Sequence, residues 1–208
     1  MNMDIEKFKK LTVHKSKSSK PEIVVVGRSN VGKSTLVRLL TKNNNIRVGK
    51  KPGVTLKINK YPLKTYTLVD LPGFGFMTGL DDSVQEKIKR EIVSYVENRD
   101  NIKGSILVID GKSFSEIVNR WDKRGEIPID IEMFDFLNEV IGKEPIVIIN
   151  KMDKIKNDER DDILDNIVET FGYPKPWRQW LDIFVPTVLK EGKGIDRVIN
   201  LINKRLKS

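Results

Sequence analysis

No cysteine occurs anywhere in the chain. Disulfide frameworks, thiolate metal sites and cysteine nucleophiles are therefore excluded, and so are prenyl and palmitoyl anchors. Histidine is nearly absent: His14 stands alone, with no carboxylate cluster beside it, and is given no catalytic or metal role. No apolar run approaches the ~20 residues that a membrane-spanning helix needs, and Met1–Lys20 lacks the apolar centre of a signal peptide. Asn2 stands where a myristoyl signal requires glycine. A cytoplasmic chain without a membrane partner is expected.

Positive charge, by contrast, is in excess. Lys and Arg number 38 against 29 Asp and Glu, a net charge of +9 spread over the whole length. Such a field favours polyanions such as RNA, and equally it can serve only to keep a lysine-rich surface solvated. Charge alone leaves both readings open, and nothing in it suggests DNA specificity.

At 208 residues the chain fits one domain that buries roughly 70% of its unfolded surface. Residues 1–20 are polar and basic and read as an arm, leaving 21–208 for the folded part. Glu22–Gly27, Ser105–Asp110, Pro145–Asn150 and Asp182–Pro186 read as buried strands, with two further strands over Leu56–Tyr61 and Thr65–Asp70. Helical spacing covers Lys33–Lys42, Ser83–Arg99, Ile129–Ile141, Lys154–Phe171 and Gly194–Leu206. Gly111–Glu126 looks irregular. Strands alternating with helices predict a single α/β domain with a mixed, mostly parallel six-stranded sheet covered on both faces.

Gly27-Arg28-Ser29-Asn30-Val31-Gly32-Lys33-Ser34, followed by Thr35, fits G-x-x-x-x-G-K-[ST] between a strand and a helix. In that setting backbone N–H groups converge on phosphate oxygens, Lys33 neutralises their charge, and the Ser34 hydroxyl can ligate Mg²⁺. Asp70-Leu71-Pro72-Gly73 ends a later strand; Asp70 can hold a Mg²⁺-bound water, and the Gly73 N–H can reach a γ-phosphate. Asn150-Lys151-Met152-Asp153, with Lys154 next, follows another apolar strand. A carboxylate at Asp153 would accept both N1–H and the exocyclic amine of guanine, whereas adenine presents the opposite pattern, so GTP and GDP are favoured over adenine nucleotides. Gly53-Val54-Thr55 lies in a long basic loop, where Thr55 could place its hydroxyl on Mg²⁺ and its N–H on the γ-phosphate. Pro186-Thr187-Val188, after the last strand, is expected to offer backbone N–H groups to the guanine oxygen. Lys33, Thr55 and Gly73 are the candidate catalytic groups.

These motifs in this order resemble the Ras-like GTPases, and within them the EngB-type ribosome-assembly branch. The residues that carry the resemblance are Gly27–Thr35, Pro52–Thr55, Leu68–Phe76 and Asn150–Lys154. Phe114–Pro128 looks like archaeal versions. The resemblance implies a GTPase switch that binds a ribosomal particle or its rRNA during large-subunit assembly, with slowed growth or division on its loss. A monomer is expected. A rival reading is a regulatory switch with a protein effector and little intrinsic turnover.

Phe74 stands where many such enzymes place a water-holding glutamine. It cannot align water, so slow unassisted hydrolysis is expected. Together with Phe76 and Met77 it is either an apolar contact patch or packing beneath the loop. Asn30 either ligates K⁺, as in some GTPases resembling this one, or only braces the loop. Trp177 and Trp180 either stack on RNA or cap the core.

Overall fold

Strands that are apolar at every position need both faces of their sheet covered. The computed structural model, which describes residues 20–46, 57–74, 82–122 and 127–207, has that arrangement. Strands β1 (Glu22–Gly27), β2 (Asn59–Pro62), β3 (Thr67–Asp70), β4 (Ile102–Asp110), β5 (Ile146–Asn150) and β6 (Phe184–Pro186) form one sheet in the order β2-β3-β1-β4-β5-β6. Only β2 and β3 pair antiparallel; the remaining neighbours are parallel.

The period-2 alternation divides the core. Ile23, Val25, Leu68, Ile106, Val108, Ile148 and Val185 meet Leu36 and Val37 of α1 (Lys33–Thr41) and Val198, Leu201 and Ile202 of α6 (Ile195–Lys207). Val24, Val26, Val69, Leu107, Ile109, Val147 and Ile149 face the other way. There they are covered by α2 (Asp82–Glu97), α3 (Gly111–Asp122), α4 (Ile129–Ile141) and α5 (Arg160–Thr170). Ile88, Ile92 and Val96 form the buried stripe of α2, with Val84 partly covered at its end.

Several segments differ from the sequence reading. Gly111–Asp122 is helical rather than irregular: the Asp110 carboxylate accepts the N–H groups of Lys112 (3.1 Å) and Ser113 (3.3 Å), starting the first turn. Phe114 then anchors α3 by stacking on Phe171, with ring centroids 5.4 Å apart. Helix α5 begins at Arg160, after short 3₁₀ turns over Met152–Lys154 and Asn157–Glu159. Its buried residues are Leu164, Ile167 and Val168. Strand β4 starts three residues earlier than expected, because Ile102 already pairs with Glu22.

The amino end of the sheet is locked by a buried carboxylate. Glu22 accepts the Tyr95 hydroxyl (2.7 Å) and is flanked by Lys60 Nζ (3.1 Å) and Arg99 (3.6 Å). The Arg99 guanidinium lies 4.4 Å from the Tyr95 ring centre. Burial, reinforced by the Glu22 carboxylate, pushes the Tyr95 hydroxyl pKa up and keeps it a donor. The rear of α2 is thereby tied to β1 and β2.

Candidate nucleotide site

The parallel strands β1, β3, β4, β5 and β6 all end at one edge of the sheet, the edge at which open α/β sheets bind ligands. Gly27, Asp70, Asp110, Asn150 and Pro186 are their last residues. The loop after β1 is shaped by contacts that forbid side chains. A Cβ on Gly27 would lie 2.6 Å from the Val108 carbonyl oxygen, and one on Gly32, at φ 109°, would lie 2.1 Å from Asn150 Nδ2. Asn30 is exposed and held at φ 66°, the left-handed region that asparagine tolerates. Helix α1 opens at Lys33 with no side-chain cap, so the first-turn N–H groups, at Lys33, Ser34 and Thr35, face the loop.

Lys33 is buried and reaches across to β3. Its ammonium donates to the Asp70 carboxylate and to the Leu71 carbonyl (2.8 Å). Burial pushes the Asp70 pKa up, and the Lys33 charge opposes that rise. Gly73 packs against Ser29, where an added Cβ would lie 3.3 Å from the Ser29 hydroxyl. Pro72 is buried between them in sequence. Phe74 is 1% exposed and belongs to the core beneath α2–α5, so of its two readings the structure takes packing. Its N–H donates to the Gly27 carbonyl (3.3 Å), and its backbone bridges to Arg28. Phe76 and Met77 lie outside the described residues, as do Gly53, Val54 and Thr55.

The loops after β1, β5 and β6 are joined by Asn150. Its amide donates to the Val31 carbonyl (2.8 Å), and its Oδ1 accepts the Leu189 N–H (3.1 Å) and the Thr187 hydroxyl (3.4 Å). Lys151, at φ 65°, donates to the Asn30 carbonyl (2.6 Å) and pairs with Asp110 (2.5 Å). Asp153 lies on the exposed turn that includes Lys154. The Lys190 ammonium hydrogen-bonded to its carboxylate, at 2.6 Å, holds the Asp153 pKa below its ordinary value. The N–H groups of Thr187 and Val188 already donate to Ile149 (2.8 Å) and Lys193 (3.1 Å), so a base oxygen there would have to share or displace those bonds.

Three participants escaped sequence reasoning: Asp110, Lys190 and Asp130. The Arg28 guanidinium donates to Asp130 in the first turn of α4 at 2.6 Å, across 102 positions that no spacing rule connects. Asp110 alone left a signal, as a carboxylate at the end of a strand. Trp177 and Trp180 pack against the core; their indole N–H groups donate to Asp161 (3.0 Å) and to the Pro174 carbonyl (2.7 Å).

A sheet of this order, with these loops gathered at one edge, defines a Ras-like nucleotide-binding domain. A family model of 50S ribosome-binding GTPases matches residues 22–151. The probable GTP-binding protein EngB of Methanococcus maripaludis is 57% identical over 207 residues, spanning 99% of this chain and 89% of that protein. A crystal structure of a probable GTP-binding protein EngB superposes with TM-score 0.76 at 42% identity, covering 89% of this chain and 98% of that one. Era, solved with MgGDPNP and a piece of 16S ribosomal RNA, shares the fold at TM-score 0.62 and 21% identity, over 89% of this chain and 56% of that one. The chain belongs to the EngB family of GTP-binding GTPases.

Gly32→Ala tests the loop geometry. The left-handed backbone disfavours alanine by ~1–2 kcal/mol, and the new methyl must displace the Asn150 amide. Guanine-nucleotide affinity is expected to fall at least about tenfold, read by calorimetry.

Proposed function

We propose that the chain is a Mg²⁺-dependent GTP switch that binds a ribosomal particle or its rRNA during large-subunit assembly and hydrolyses GTP to GDP and phosphate. The observation that carries the reading is the convergence of Lys33, Asp70, Gly73 and Asn150 on one edge of the sheet, within contacts that fix all three loops. Gly27–Thr35 would wrap the phosphates, with Lys33 exchanging Asp70 and the Leu71 carbonyl for phosphate oxygens. Asp153, held as a carboxylate, would accept the guanine N–H groups once Lys190 gives way, while Lys151 and Lys154 line that side and Pro186–Val188 close it.

The donor set fits Mg²⁺. A Mg²⁺ ion that relies on phosphate oxygens would need only the oxygen donors of Ser34, Thr55 and, through water, Asp70, the hard ligands it prefers. Bound there, Mg²⁺ would neutralise charge on the phosphates. Thr55 and the Gly73 N–H would sense the γ-phosphate. Phe74 lies in the core and carries no group that orients water, so intrinsic turnover is slow and rises with a docked partner or an ion. K⁺ at Asn30 is the candidate ion, supported by the fixed left-handed backbone and exposure of that residue.

Support for a ribosomal target comes from the description of the matching family model and from the +9 charge. Era, of the same fold, was solved with rRNA. Among the described residues no helix is long and apolar enough to cross a membrane.

Asp153→Asn is expected to lower GDP affinity by about 10- to 100-fold and raise that for xanthosine diphosphate; unchanged base selectivity refutes the assignment. Turnover in potassium is expected to exceed turnover in sodium, and equal rates remove the ion. In sedimentation, large subunits should carry the protein with a GTP analogue and release it with GDP. Absence from subunits with both nucleotides, at low salt as at high, defeats the ribosomal reading in favour of a protein-effector switch.

A further inference from the structure

Arg28 is tied both to the loop after β3 and to α4. Its backbone follows Gly27 and bridges to Phe74, the residue directly after Gly73. Its side chain leaves the loop and donates through Nε to Asp130 Oδ2 at 2.6 Å, in the first turn of α4. Asp130 is 1% exposed, and among the described residues its second oxygen, Oδ1, has no hydrogen-bond partner. Helix α4 has no side-chain cap, because Pro128 stands at its N-cap; its first turn carries Asp130 and Glu132, and Asp130 ties the turn to the loop after β1. Phe74, Ile129 and Met133 also share one hydrophobic cluster.

We propose that the Arg28–Asp130 pair is a two-position latch that makes α4 respond to the bound nucleotide, with Asp130 as its positioning residue. The inference rests on the GTP-switch reading. A buried carboxylate held at one oxygen leaves the other desolvated and unpaired, which is the costly arrangement of such a group. A guanidinium carries parallel donors, so a small shift of Arg28 converts the one-point contact into a two-point fork that satisfies both oxygens. Arg28 cannot shift without its ladder partner Phe74, and Phe74 follows the residue whose N–H would meet the γ-phosphate. A pull on Gly73 is therefore transmitted to α4 through one backbone bridge and one ion pair. The first turn of α4 then has two arrangements, and the third phosphate of GTP selects between them.

Hydrogen exchange on the full chain tests this, after calorimetry has established binding of GDP and of a non-hydrolysable GTP analogue. The peptide covering the start of α4, residues 129–137, is expected to exchange differently in the two complexes, while the α6 peptide does not. In Asp130→Asn, which keeps shape but removes the charge, the α4 difference is lost although both nucleotides still bind. Asp130→Glu, which keeps the charge but moves the carboxylate by one methylene and so cannot form the same fork, is expected to lose it too and serves if Asp130→Asn does not fold. Identical α4 exchange in the two wild-type complexes overturns the latch alone. So does a difference that survives in either variant. If the wild-type chain binds neither nucleotide, the GTP-switch reading falls and the latch with it.

Discussion

The Asn150 carboxamide is the contact on which the site depends. One side chain at the end of β5 donates to the loop after β1 and accepts from the loop after β6, and it is 5% exposed. A buried amide that lost either partner would leave desolvated polar groups in two loops at once, so the three loops keep their spacing together or not at all. Gly32 is part of the same arrangement, since only a residue without a side chain lets the amide approach the phosphate loop. The interaction links the loop after β1 to the loops after β5 and β6.

Around that junction the charges at the strand ends are paired. Asp70 meets Lys33, Asp110 meets Lys151, Asp153 meets Lys190, and Asp130, at the head of α4, meets Arg28. The pairs range from nearly dry, at Lys33–Asp70, to well solvated, at Lys190–Asp153. An anionic ligand entering such a site exchanges one set of ionic contacts for another, and its affinity reflects a difference between them rather than the full attraction to free lysines. The solvated Lys190–Asp153 pair yields at small cost, because an exposed ion pair is worth at most about 1 kcal/mol. The dry Lys33–Asp70 pair yields only to a ligand that supplies comparable charge.

Much of the fold was legible because buried parallel strands are continuous apolar runs, and Glu22–Gly27 and Ile146–Asn150 contain little else. Helix α4 was read to the residue because its apolar spacing ends at Gly142, whose φ of 71° caps it. Helix α3 was missed since its composition is polar; the capping carboxylate of Asp110 and the anchor Phe114 do what a longer apolar stripe would do elsewhere. The close approaches after β1 were visible as the glycines at Gly27 and Gly32, where a side chain would meet the Val108 carbonyl and the Asn150 amide. Partners such as Asp130 and Lys190 were invisible, because an ion pair between distant residues leaves no periodic trace. Phe74 could be settled only by its surroundings, since an apolar ring after a loop glycine suits a surface patch and a core equally well.

The fastening of Tyr95 and Arg99 to Glu22 has a mechanical corollary. Helix α2 has 16 residues, a rod of roughly 24 Å at 1.5 Å per residue, with its fixed point at the end remote from the nucleotide edge. A rod pivoted at its tail magnifies motion at its head: a tilt of about 5° sweeps the Asp82 end through about 2 Å while the Tyr95 end stays put. Fastened at that rear anchor by polar contacts, the helix can tilt at its Asp82 end without giving up the bonds around Glu22.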